Sequence, residues 1–92
     1  MEDLEIEVLE EVEAKTEKEN EKSLILYNDD YNSFDHVIEC LIAYCEHNEN
    51  QAEQCAMLIH LKGKYAVKCG SFNKLRPIKD ALLDQGLTAQ IS

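Results

Sequence analysis

The residues best placed to do chemistry are Asn28, Asp29 and Asp30, which come directly after the apolar run Leu24-Ile25-Leu26-Tyr27. A buried strand fixes the backbone just beyond its end, so two carboxylates and an amide there can converge on one point. Such a point suits a cation that carries hydrogen-bond donors, either a metal or an amine. The same tripeptide also makes a good turn, because Asn and Asp favour turns and helix caps. Taken alone it leaves both readings open. His60 is the second candidate, at the end of the helical stripe Ala52, Cys55, Ala56, Ile59, His60. A histidine there serves as a core residue or complements the helix dipole, unless the end of the first strand packs beside it. In that case Asn28, Asp29 and His60 meet at one polar point, and Phe34, Val37, Ala56 and Ile59 form an apolar cavity next to it.

A polar point beside an apolar slot matches one ligand type well: a chain N-terminus with a large hydrophobic first side chain. Asp29 supplies the charge for the α-ammonium. The Asn28 amide carbonyl and a neutral His60 nitrogen supply acceptors. The first side chain needs a dry pocket of limited size.

The elements that must position these groups can be read from periodicity. Ser23 to Tyr27 reads as a buried strand and Asn28 to Tyr31 as a loop. Asn32 then reads as a helix cap, with Asp35 three positions on. The helix from Ser33 to Cys45 sets Phe34, Val37, Ile38, Leu41 and Cys45 on one face. Asn48 caps a second helix, with Gln51 at its third position, and Gly63 ends it as a left-handed C-terminal glycine does. The short link between the two helices makes them an antiparallel hairpin. Lys64 to Phe72 alternates, with Tyr65, Val67 and Cys69 on one side, as a half-buried strand does. A third helix runs from Lys74 to Gln85, where Pro77 requires a late start or an irregular first turn. Gly86 stops it, and Leu87 to Ile91 is a last strand. The predicted fold is α+β: a small two-layer domain with a three-stranded antiparallel sheet and three helices on one face, in the order β-α-α-β-α-β.

Composition bounds the function. Ninety-two residues make one small domain. The net charge is −10. Residues 1–22 hold ten acids and three lysines, so most of that charge lies there. This excess argues against nucleic acid and anionic membranes as partners. Residues 1–22 read as an acidic, mostly disordered extension, and 23–92 as the folded domain. No apolar run is long enough to span a membrane and the N-terminus lacks the form of a signal peptide, so the expected compartment is the cytoplasm. Cys40, Cys45, Cys55 and Cys69 show no Cys-x-x-Cys pair or zinc spacing and read as reduced core residues.

Two stretches together resemble the ClpS adaptor family, the bacterial recognition component of the N-end rule pathway. Leu24-Ile25-Leu26-Tyr27-Asn28-Asp29-Asp30-Tyr31 resembles that family's hydrophobic strand with Asn-Asp-Asp-Tyr after it. Ala52-x-x-x-Ala56-Met57-Leu58-Ile59-His60-x-x-Gly63-Lys64 resembles its second helix. The resemblance implies an adaptor without catalytic residues, metal or cofactor. Such an adaptor binds proteins that begin with Leu, Phe, Tyr or Trp and hands them to a Clp AAA+ unfoldase and its peptidase. It implies that Asn28, Asp29 and His60 hold the α-amino group and that Phe34, Val37, Ala56 and Ile59 line the side-chain pocket, with Asp30 and Asn32 adjacent. It also implies that the N-terminal extension takes part in delivery. The expected state is a monomer.

The departures from the family pattern fall at the pocket and on the partner surface. Asn32-Ser33-Phe34 stands where the family commonly has Thr-Pro-Met, so an aromatic replaces the Met that guards the pocket mouth. Ala56 replaces another Met. About two extra residues precede Cys69-Gly70, and the acidic position expected afterwards falls among Lys74, Leu75 and Arg76. The alternative reading is a divergent protein-interaction domain of the same fold without N-terminal residue recognition. An enzyme lacks a recognisable nucleophile motif, and Asp29, Asp30 and His60 make a weak metal set.

Overall fold

A computed structural model describes residues 21–92. The expected acidic extension therefore lies outside the described residues, except for its last two, of which Lys22 already opens the first strand. The elements are β1 (Lys22–Tyr27), α1 (Phe34–Cys45), α2 (Glu49–Lys62), β2 (Lys64–Gly70), α3 (Phe72–Asp84) and β3 (Thr88–Ile91). The sheet order is β2-β1-β3, and β1 runs antiparallel to both neighbours. The fold is the expected α+β arrangement, with three helices over a three-stranded sheet.

Alternation along β1 sends Leu24 and Leu26 into the core, where they meet Leu41 of α1 and Leu75 and Leu82 of α3; all five are almost wholly buried. Fully burying a leucine contributes about 1.5–3 kcal/mol, so these five supply much of the driving force in so small a domain. Asn48 caps α2 as expected, its Oδ1 accepting from the Gln51 amide at 2.8 Å. Gly63 adopts φ 86° and donates to the Ile59 carbonyl.

Four sequence expectations need correction. The cap of α1 is Ser33, not Asn32: Ser33 Oγ accepts from the His36 amide at 3.1 Å. Ser and Asn cap about equally well, and the Asn32 side-chain amide is already committed elsewhere. The third helix starts at Phe72, capped by Ser71, and Pro77 lies inside it. Pro77 therefore gives no bond to the Asn73 carbonyl one turn back. Both residues are exposed, so water can serve that carbonyl.

The third correction is on β2. Its register against β1 shifts between Leu24 and Ile25: Leu24 pairs with Lys68 and Ile25 with Ala66, which leaves Val67 as an extra residue. This bulge breaks the alternation. Val67 stays buried, Lys68 turns half inward, and Cys69 faces out beside the Ser23 hydroxyl. Inward Lys68 reaches the C-terminus of α1, 3.5 Å from the Cys45 carbonyl and 3.7 Å from the Glu46 carboxylate. A cation there complements the helix dipole.

The fourth concerns the cysteines. Cys40 and Cys45 are buried and Cys55 is half-buried, but Cys69 is exposed, and all four are free thiols. Burial pushes the Cys45 thiol up to about 11, and it raises Cys40 and Cys55 as well. Protonated thiols are poor nucleophiles.

Candidate functional site

The end of β1 is tied to the end of α2 by one backbone bond: the Asn28 amide donates to the Gly63 carbonyl at 2.8 Å. Gly63 can offer that carbonyl because its left-handed turn ends the helix there. The bond brings the Asn28-Asp29-Asp30 loop alongside the last turns of α2. The start of α1 closes the third side. Between these elements lies a cavity of about 460 Å³, lined by Tyr27, Asn28, Asp29, Asp30, Asn32, Phe34, Val37, Ala56, Met57, Ile59 and His60. Its size lies at the lower end of the roughly 300–1,000 Å³ usual for ligand pockets.

Every residue named from sequence for the polar point or the slot thus borders one cavity. Ala56 and Ile59 are buried, and Val37 is half-buried. Phe34 is 42% exposed, at the mouth. His60 is exposed on the flank of the α2 stripe, which takes it out of the core. Tyr27 and Met57 also line the cavity and were not singled out from sequence. Met57 lies three positions before His60, a helical spacing that marks it as a neighbour on that flank.

Asp29 is the best-defined group. Its Oδ1 accepts from the backbone amides of Tyr31 at 2.9 Å and Asn32 at 2.7 Å. Its Oδ2 accepts from Asn32 Nδ2 at 2.8 Å. The turn reading of the tripeptide is therefore right, and it does not compete with the charged reading. Burial would raise the carboxyl's pKa, but the Asn32 and Tyr31 hydrogen bonds, helped by His36, outweigh it and hold the group below its ordinary value. A carboxylate has about four acceptor sites. Among the described residues, two on Oδ1 and one on Oδ2 are taken, which leaves one on Oδ2 for another donor.

The orientation of Asp29 depends on the far end of the chain. The second Asn32 Nδ2 bond runs to the Gly86 carbonyl at 2.9 Å. Gly86 has φ 84° and completes a Schellman turn at the end of α3, with the Leu87 amide on Leu82 and its own amide on Leu83. His36 adds a second tie, its Nε2 2.9 Å from the Gln85 carbonyl. Asn28 and His60 side chains have no hydrogen-bond partner among the described residues. Among the described residues no Lys or Arg lines the cavity, so those that do give it a negative field. No group of three His, Cys, Asp or Glu among the described residues is arranged to hold a metal ion. No described helix is long and apolar enough to cross a membrane.

His47 was not singled out from sequence. It is buried away from the cavity, and its Nε2 donates to the Val67 carbonyl at 2.7 Å. Its Nδ1 has no hydrogen-bond partner among the described residues. It fastens the α1–α2 link to the bulge in β2.

Residues 17–90 match the family model described as ATP-dependent Clp protease adaptor protein ClpS. The ATP-dependent Clp protease adapter protein ClpS of Shewanella halifaxensis is 43% identical over 60 residues, which are 64% of this chain and 59% of that protein. Its counterpart in Shewanella pealeana is 40% identical over 57 residues, 62% of this chain and 56% of that protein. The chain thus spans less than two thirds of the length of these curated relatives. The solved structure of Agrobacterium tumefaciens ClpS2 bound to L-phenylalaninamide has a TM-score of 0.69 at 22% identity. It covers 79% of this chain and 95% of that one, and the likeness is one of fold.

Proposed function

The chain belongs to the ClpS adaptor family, and we propose that it binds proteins by a free N-terminal bulky hydrophobic residue and delivers them to a Clp AAA+ unfoldase-protease. The observation that supports this best is the junction of Asp29 with the apolar slot. A carboxylate kept ionised by three donors, with one acceptor site spare, stands at the rim of a cavity floored by Val37, Ala56 and Ile59. In this reading the α-ammonium donates to Asp29 Oδ2, to the Asn28 side-chain carbonyl and to a neutral His60 nitrogen. The first side chain descends between α1 and α2. Burying a leucine or phenylalanine there contributes roughly 1.5–3 kcal/mol, and the charge-assisted bonds add the demand for a free amine.

The adaptor acts as a monomer, and the acidic segment 1–22 serves delivery rather than binding. The surface near the start of α3 carries exposed Lys74 and Arg76 around fully buried Leu75. The family pattern would place an acid there, so the unfoldase-facing side of this chain carries a different charge. The rival reading, a divergent interaction domain without N-terminal recognition, draws on this difference and on Phe34 at the mouth.

One peptide series separates the two. A peptide beginning with Leu, Phe, Tyr, Trp, Ile or Val is titrated against the full chain. A slot between two helices rejects side chains branched at the first carbon, which are stiff and wide there. Leu and Phe should bind at least about tenfold better than Ile and Val, a gap of about 1.4 kcal/mol. Equal binding of Leu and Ile would favour the rival.

A further inference from the structure

We infer that the outer flank of α2, from Met57 to Leu61, is a subsite for the second residue of the bound chain and selects a large apolar side chain there. The inference rests on the N-terminal reading of the cavity. Met57 lines the cavity yet is 46% exposed. Leu61 is 70% exposed and lies one helical turn further on, at the i+4 position that stacks side chains on one face. Single exposed leucines are ordinary. An exposed Met-Leu pair that continues directly from a cavity wall is less so.

The stereochemistry of the first residue points the chain toward this flank. Its amine is held at the loop end, by Asn28, Asp29 and His60, and its side chain points down between the helices. The remaining substituent of its Cα, the carbonyl carbon, must leave by the mouth. The walls at the mouth differ in kind. On the loop side stands exposed Asp30, and the start of α1 adds Phe34. On the α2 side stand Met57 and, beyond it, Leu61. An apolar second side chain therefore gains contact by lying along α2.

The occupant is set by continuity with the cavity and by charge. Asp29 and Asp30 line the cavity, Glu53 lies one turn before Met57, and no salt bridge among the described residues neutralises any of them. That field favours a chain start, which carries a positive charge, over an internal segment of a protein.

The test uses the full chain and three synthetic peptides that differ only at their start: Leu-Leu, Leu-Gly and acetyl-Leu-Leu. Covering about 40 Å² of apolar surface strengthens binding about fivefold, so Leu-Leu should bind about fivefold tighter than Leu-Gly. Leu61→Ser removes an exposed side chain that does not line the cavity. It should erase this ratio and leave Leu-Gly affinity unchanged. Equal affinity for Leu-Leu and Leu-Gly in the unaltered chain would overturn the inference alone, provided acetylation still abolishes binding. A ratio that survives both Leu61→Ser and Met57→Ser would overturn it as well. Binding of acetyl-Leu-Leu as tight as that of the free peptide would remove the underlying reading and this inference with it.

Discussion

Replacing Asn32 by alanine isolates the part of the site that acts at a distance from any ligand. Asn32 Nδ2 gives one bond to Asp29 Oδ2 at 2.8 Å and one to the Gly86 carbonyl at 2.9 Å. A bond to a charged acceptor contributes about 1.5–3 kcal/mol and one to a neutral carbonyl about 0.5–1.5. Both are partly open to water, so the low ends apply, and Asn32→Ala should cost about 2 kcal/mol of folding stability. Asp29 keeps its two backbone donors and stays in place, but its Oδ2 is no longer aimed. Affinity for a Leu-starting peptide should fall about fivefold, or about 1 kcal/mol.

The pH dependence of this variant has a definite sign. The folded pKa of Asp29 lies below its ordinary value of 3.8. Its contribution to stability is complete above the unfolded value and is lost as pH falls through the folded one. Asn32→Ala moves the folded value back up. The stability gap between the two proteins should therefore be full above about pH 3.8 and narrow below it. Urea unfolding at several pH values measures the gap, and carboxyl-carbon NMR tracks Asp29 directly. An Asp29 titration that does not move in Asn32→Ala would refute the claim that Asn32 holds the carboxylate in its ionised form.

Three further outcomes are expected. Glu46 is a non-glycine residue with φ 60° at the end of α1, and its carboxylate is too exposed for the Lys68 pair to matter much; Glu46→Gly should raise stability by about 1 kcal/mol, read from the urea midpoint, with peptide affinity unchanged. Gly86→Ala should lose about 1 kcal/mol, because φ 84° strains an L side chain even though the new Cβ would sit 3.8 Å from Asn32 Oδ1; its peptide affinity should fall less than that of Asn32→Ala. Deleting residues 2–20 should change peptide affinity by no more than a few tenths of a kcal/mol and slow degradation of a Leu-starting substrate by the Clp machine.

Much of the architecture was legible because local signals agreed with one another. Asn48 and Gly63 bracket α2 where the apolar stripe begins and ends, and Leu24 and Leu26 alternate as a half-covered strand must. Most of the cavity lining was anticipated on the condition that the end of β1 packs beside α2, which the Asn28–Gly63 bond meets, whereas Tyr27 and Met57 were not. The features that escaped were settled by partners distant in the chain. Asn32 and Ser33 are neighbouring residues of equal capping power, and only Gly86, 54 positions away, decides that Asn32 serves Asp29 instead. The bulge at Val67 has no local mark, and it alone turns Cys69 outward and Lys68 toward α1. His47 carried no signal in the sequence, and its burial depends on a carbonyl that this same bulge presents.

The central claim is that Asp29 holds a chain's free amine, and a double-mutant cycle tests it most directly. Affinity is measured for a Leu-starting peptide, free or acetylated, against the unaltered chain and Asp29→Ala. Each single change should weaken binding by roughly 2–4 kcal/mol. Both together should do little more than either alone, giving a coupling of about 2 kcal/mol between the amine and Asp29. Losses that simply add, or an acetylated peptide that binds the unaltered chain as tightly as the free one, would contradict the account.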